Sequence, residues 1–326
     1  MAKVTVLMAV YNAEQWLPKS LESLMNQTLQ NIQMICVDDA STDHSLSILQ
    51  QYAQNDERIE VIALSENHGQ AHARNIGLQR ATGDYVCFLD ADDWLSLDAL
   101  QQAVAVFEEH PRTDCVLFRL VIVENGAETE YPMKAFGVLS GYDAFMQSIN
   151  WDIHGVYMVR TSIHLEHPYD DTCRSYSDDN TTRVHYLVSR EVRCCQGIYY
   201  YFQHSSSTSH QVSVRRFEYL RANESMHRQL LEMQVDREVI SLYENVRWRV
   251  LVDCYMFYHV HGKELTIEER HYGLSELHRV WQSIDRSLLE RKTTAKFGYR
   301  PCRSWRLFRL QEWLYFTLRG FLGKNY

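Results

Sequence analysis

The sequence predicts an α/β protein: a Rossmann-like, mainly parallel sheet in the first part of the chain and a helical C-terminal extension. Three observations lead there. Short apolar runs alternate with helix-period segments from Val4 to about Leu120, two acidic clusters directly follow two of those runs, and apolar positions keep a helical spacing from Arg215 onward.

The first run, Val4–Val10, is continuously apolar until Tyr11-Asn12 and reads as a strand covered on both faces. Leu17, Leu21, Leu24 and Met25 then recur at i, i+4, i+7 and i+8, with Pro18 suited to a first helical turn. Ile32–Val37 is the second strand, and Leu46, Leu49 and Tyr52/Ala53 mark the next helix. Glu60–Leu64, Tyr85–Leu89 and Cys115–Val121 complete the strands of this part. The polar stretch Glu124–Lys134, with Gly126 and Pro132, is a boundary or a hairpin. Beyond it, Ser140–Ile149 reads as a helix, Gly155–Arg160 as a strand and Ser189–Gln203 as two short strands. Leu220, Met226/His227 and Leu230/Leu231 form one later helical stripe, and Val246, Val250, Leu251 and Cys254 another. The expected division is 1–122, 123–214 and 215–326, the first two belonging to one domain.

With 326 residues, 45% of them hydrophobic, the chain can bury a sizeable core. Forty-two acidic against 33 basic residues, a net charge of -9, argue against a nucleic-acid binder. The eight cysteines contain no C-x-x-C pair, which fits a reduced, cytoplasmic setting. The apolar start is too short for a signal peptide, and nothing approaches the roughly 18–20 apolar residues of a membrane span.

Ligands of open parallel sheets bind at the carboxyl ends of the strands. Those positions are acidic here: Asp38-Asp39-Ala40-Ser41-Thr42-Asp43 after the second strand and Asp90-Ala91-Asp92-Asp93 after the fourth. Such clusters repel each other unless a cation or hydrogen-bond donors lie between them. Hard oxygen ligands of this kind suit Mg²⁺ or Mn²⁺ bridged to a phosphate. Helix capping by Asp38, Asp39 and Asp43 is the competing assignment.

Val10-Tyr11-Asn12, Val37–Asp43, Asn67-His68-Gly69 with Ala73–Gly77, and Gly83–Asp93 occur in the order of the signatures of inverting family-two glycosyltransferases with the GT-A fold. The chain resembles that family closely over about its first 110 residues and more loosely to about residue 210. The resemblance implies that residues 1–122 bind a nucleotide-sugar, a UDP-sugar as first expectation, and that 123–214 bind a glycan or lipid-linked glycan acceptor of a bacterial surface polysaccharide. It places Val10 and Tyr11 at the nucleobase with Asp39 accepting from it, Arg74 at the diphosphate or ordering the site, and Asp90 at the ribose beside Ala91. Asp92, assisted by Asp93, would hold Mn²⁺ or Mg²⁺ against the diphosphate.

Inversion also requires a carboxylate base on the acceptor side. Ser177-Asp178-Asp179-Asn180 stands where the family carries an acidic pair, with Asp179 as base and Asp178 beside it; Asp170-Asp171 is the competing pair. His68 and His72 are candidates for phosphate contact, Trp151 and His154 for stacking and hydrogen bonding to an acceptor sugar, with core packing as the alternative for each. Between Lys296 and Tyr326, seven basic residues and the aromatics Trp305, Phe308, Trp313, Phe316 and Phe321 stand with a single acid, Glu312, so residues 303–322 suggest either a membrane-surface helix at the inner face of the cell membrane or a helix packed on the protein. A nucleotidyltransferase would place a glycine-rich basic loop after the first strand, where this chain has Tyr11-Asn12-Ala13-Glu14. A binding protein without turnover is the non-enzymatic alternative.

Overall fold

A computed structural model describes residues 2–174, 176, 178–204 and 212–324. The chain forms two compact units: Met1–Arg174 with Thr181–Ser207, and Ser175–Asn180 with Thr208–Tyr326.

The first unit is built on a nine-stranded sheet in the order β3-β2-β1-β4-β8-β6-β9-β5, with β7 hydrogen-bonded to β6. Its parallel half consists of β1 (Val4–Val10), β2 (Ile32–Asp38), β3 (Ile59–Ala63) and β4 (Tyr85–Phe88), joined by α1 (Leu17–Met25), α2 (Ser45–Asn55) and α3 (Gln70–Leu78). β1, β2 and β4 read as mainly apolar runs because both faces are covered, with Val4, Val6, Leu7, Met34, Ile35 and Val86 buried, whereas the edge strand β3 carries Glu60 and ends exposed at Ala63. Gly77 lets α3 lie close on the sheet, since an added Cβ would meet Leu7, Ile35 and Val37 side chains at 3.2–3.3 Å.

The other half mixes directions. After β5 (Trp94–Leu95) and α4 (Ala99–Glu109), β6 (Thr113–Glu124) turns through Asn125-Gly126, both at positive φ, into β7 (Ala127–Glu130). The stretch expected as a boundary or hairpin is therefore a hairpin, and β6 runs across position 122 without interruption. α5 (Gly141–Ile149) leads to β8 (Tyr157–Arg160), antiparallel to both β4 and β6. α6 (Thr161–Glu166) and α7 (Asp178–Val188) precede β9 (Glu191–Gln203), a single strand parallel to β6 with two register shifts where two short strands were expected.

The second unit is helical: α8 (Glu218–Glu232), α9 (Arg237–His261), α10 (Ile267–Ser283), the short α11 (Arg291–Thr294) and α12 (Trp305–Phe321). Leu230, Tyr243, Trp248, Leu251, Phe308 and Phe316 are among its buried side chains. Among the described residues, no helix is long and apolar enough to cross a membrane.

Candidate active site

Strand register sets the site. Val10 pairs with Asp38 and Leu7 with Phe88 in parallel strands, so Tyr11, Asp39 and Asp90–Asp93 all leave the sheet at one edge. β8 runs antiparallel to β4, with Met158 opposite Cys87, so the loop before Tyr157 comes to that same edge.

The loops after β1 and β2 are tied together. Asn12 N donates to Ser41 Oγ at 3.0 Å, and Asn12 Oδ1 accepts from Thr42 N at 2.8 Å. Glu14 N donates to Asp43 Oδ2 at 3.1 Å, while Glu14 Oε2 accepts from His44 N at 2.8 Å. Asn12 and Ala40 hold left-handed backbone, a conformation that needs such support in a non-glycine residue. Asp43 Oδ1 also accepts from Ser45 N at 2.9 Å and Asp38 Oδ2 from Ser41 N at 3.1 Å, so these two acids shape the entry to α2. Val10 is buried beneath this edge, and Tyr11 projects with half its surface exposed.

Asp39 organises the next loop. Its Oδ1 accepts from His68 N at 2.9 Å and its Oδ2 from Gly69 N at 2.7 Å, a turn that Gly69 permits at φ 96°. α3 starts at the following residue and carries Arg74 inward. Arg74 is 2% exposed; its guanidinium lies 4.1 Å from the Phe88 ring centroid and donates to Asp90 Oδ1. Gln70 Nε2 donates to the same oxygen at 2.8 Å. A buried cation of this kind requires its anion, and here it orders Asp90.

Asp92 and Asp93 diverge. Asp92 is partly exposed, with Oδ2 3.0 Å from His204 Nε2. Asp93 is 1% exposed; its Oδ2 accepts from Tyr199 Oη at 2.8 Å and its Oδ1 from Phe202 N at 2.7 Å. Burial first, then the charges of Asp90 and Asp92, push its carboxyl well above the usual range. Asp93 thus faces β9, while α1 pins the same turn through Ser20 Oγ, which donates to the Ala91 and Asp93 carbonyls. Tyr199 also anchors the main chain at Asp90.

Sequence reasoning missed His204. Its ring stacks on Trp16 at 4.1 Å between centroids and meets Asp92 from 112 positions away, with no local motif to announce it. Two donor atoms about 3 Å apart match neighbouring ligands of an octahedral ion with bonds near 2.1 Å, so Asp92 and His204 fit one edge of the shell of Mn²⁺ or Mg²⁺; among the described residues no group of three His, Cys, Asp or Glu converges, and the other ligands would come from phosphate and water.

Asp178 and Asp179 open the first turn of α7, Asp178 exposed and Asp179 half-buried; Ser177 lies outside the described residues. Asp170 is buried and folds back on Thr172, while Asp171 Oδ2 lies 3.3 Å from His72 Nδ1, whose ring is 4.8 Å from that of His68. Trp151 and His154 part company. Trp151 is exposed in left-handed backbone, its carbonyl accepting from Tyr131 Oη at 2.7 Å and its ring facing Arg183 at 5.8 Å. His154 is buried, and burial lowers it to about 4, so it belongs to the core.

Comparison with known proteins agrees with this architecture. The S. aureus TarS fragment 1–349, solved with UDP-GlcNAc, superposes with a TM-score of 0.75 at 19% identity, covering 99% of this chain and 92% of that one. A Pyrobaculum calidifontis mannosyltransferase with GDP-Man and Mn²⁺ gives 0.52 at 14% identity, over 99% and 88%. The class so defined is the GT-A glycosyltransferase fold. The sequence model of Glycosyl transferase family 2 matches residues 5–168, just over half of the chain, and the protein belongs to that family. The poly(ribitol-phosphate) beta-glucosyltransferase of Bacillus spizizenii is 42% identical over 101 residues, 30% of this chain and 16% of that protein. The chain spans well under two thirds of the length of the curated relatives it matches.

Proposed function

We propose that the chain transfers one sugar from a nucleotide-sugar, with UDP as the nucleotide, to a glycan or lipid-linked glycan during assembly of a bacterial surface polysaccharide, inverting the anomeric centre. The observation that carries this reading is the sheet edge on which Asp90, fixed by buried Arg74, stands two residues before Asp92 and its partner His204. The polymer named for the Bacillus relative and the UDP-GlcNAc held by TarS support the substrate class, and the beta linkage in that relative's name supports inversion of an α-linked donor.

In this reading Tyr11 and Asp39 flank the nucleobase, Asp90 faces the ribose with Val10 and Ala91 shaping the floor, and Asp92 with His204 holds Mn²⁺ or Mg²⁺. Bound there, the cation would neutralise charge developing on the departing diphosphate. Asp93 keeps the turn in place through Tyr199 and Phe202 N. Asp179 takes the proton from the acceptor hydroxyl as it attacks, with Asp178 supporting it. Trp151 offers an apolar face to an acceptor ring. A screen of nucleotide-sugars, scored by release of nucleoside diphosphate with and without glycan acceptors, tests the whole reading; a melting shift with Mn²⁺ and nucleotide but no release from any donor would favour a binding protein.

A further inference from the structure

Helix α12 has two faces of different character. Phe308, Tyr315 and Phe316 are buried against the rest of their unit, with Phe308 5.7 Å from both Trp248 and Tyr255 between ring centroids. Leu307, Leu310, Leu314, Leu318 and Phe321 are all exposed, from 41% at Leu314 to 85% at Phe321. At 3.6 residues per turn these five fall within an arc of about 80°. Such a row on an otherwise packed helix is costly to leave in water.

Its charged surroundings name the partner. Lys296, Arg300, Arg303, Arg306, Arg309, Arg319 and Lys324 lie along this segment, against Glu312 alone, and Glu312 is fully buried. The only acid of the segment is thus withdrawn from its surface, in a chain whose net charge is -9. A protein with that overall charge is repelled by an anionic bilayer except through a concentrated basic patch. We infer that the outer face of α12 is a membrane-docking surface, its leucine row and Phe321 lying at the headgroup boundary of an anionic bilayer with Arg303 and Arg306 on the headgroups. This deepens the proposed transfer to a lipid-linked acceptor by holding the enzyme where such an acceptor is found, and its test does not depend on turnover.

The full chain would be sedimented with vesicles of phosphatidylcholine alone or with a quarter phosphatidylglycerol, over a range of salt. Binding is expected only with phosphatidylglycerol and should fall as salt rises. Replacing Arg303 and Arg306 together by Gln should weaken it roughly 30-fold, at about fivefold per arginine. Leu314→Asp with Leu318→Asp should abolish it while leaving the melting temperature unchanged, since both side chains are exposed. Absence of binding to the anionic vesicles, or equal binding to both compositions, overturns the proposal. So does a dimer in light scattering that the leucine variant disperses without any vesicle binding, which would assign the face to a second copy. Nucleoside diphosphate release with a water-soluble acceptor, run in parallel, separates failure of the transferase reading from failure of the docking surface.

Discussion

His204 Nε2 lies 3.0 Å from Asp92 Oδ2, and the imidazole is held there by stacking on Trp16. If this pair holds the metal, His204→Ala should weaken Mn²⁺ binding by at least about tenfold. Titrating the ion against the thermal shift of the folded protein measures this without assaying activity. An unchanged Mn²⁺ titration in the variant would remove His204 from the metal site.

Asp92→Ala removes the other half of the pair. The side chain is partly exposed, so the fold should survive, yet transfer should disappear and EDTA should reproduce the loss in the unaltered protein. Full transfer by the variant in the presence of EDTA would take the metal out of the mechanism.

How far the sequence foretold this site follows from the range of the interactions involved. β1, β2 and β4 were legible almost to the residue because two covered faces demand an unbroken apolar run, and the acids at their ends declared the ligand edge. β8 is different: four residues slot between β4 and β6, pairing Arg160 with Tyr85 across 75 positions, and no local pattern fixes such a partner. β9 reads as two strands because its register slips against β6. His204 follows an aromatic run and gains its meaning only when β9 brings it to Trp16 and Asp92. In the sequence Asp93 stands only as an assistant to Asp92, and its burial against Tyr199 is what the neighbouring residues could not announce.

A base contributes to proton removal and little to donor binding. Asp179→Asn should therefore lower the transfer rate roughly 10²- to 10⁴-fold while the donor dissociation constant barely moves. Asp178→Asn should be milder. Near-normal transfer by Asp179→Asn, together with loss in Asp171→Asn, would move the base to the pair that meets His72.

Trp151→Ala should raise the acceptor KM and leave the donor KM unchanged, because the exposed ring is proposed to meet only the acceptor. A proportionate rise in both would mean that the substitution disturbs the sheet edge as a whole.

Two buried histidines of the first unit and one buried carboxyl of the second respond to pH in opposite directions. In the first, burial lowers His154 and His185 to about 4, below the ordinary 6.5; His185 donates to the His167 carbonyl and its other nitrogen meets Tyr157 Oη at 2.7 Å. A depressed histidine stabilises the fold above 6.5, and that contribution is lost as pH falls through about 4, where the buried rings must take up protons. In the second, burial raises Glu312 to about 8 from 4.5, so its contribution is complete below 4.5 and is lost as pH rises through about 8. Each pH unit of that interval costs about 1.4 kcal/mol at most. Glu312→Gln keeps the shape without the charge. The variant should melt higher than the parent at pH 8.5 and close to it at pH 4.5, as read by calorimetry of the full chain. A constant difference between the two across that range would show that Glu312 ionises without cost where it lies.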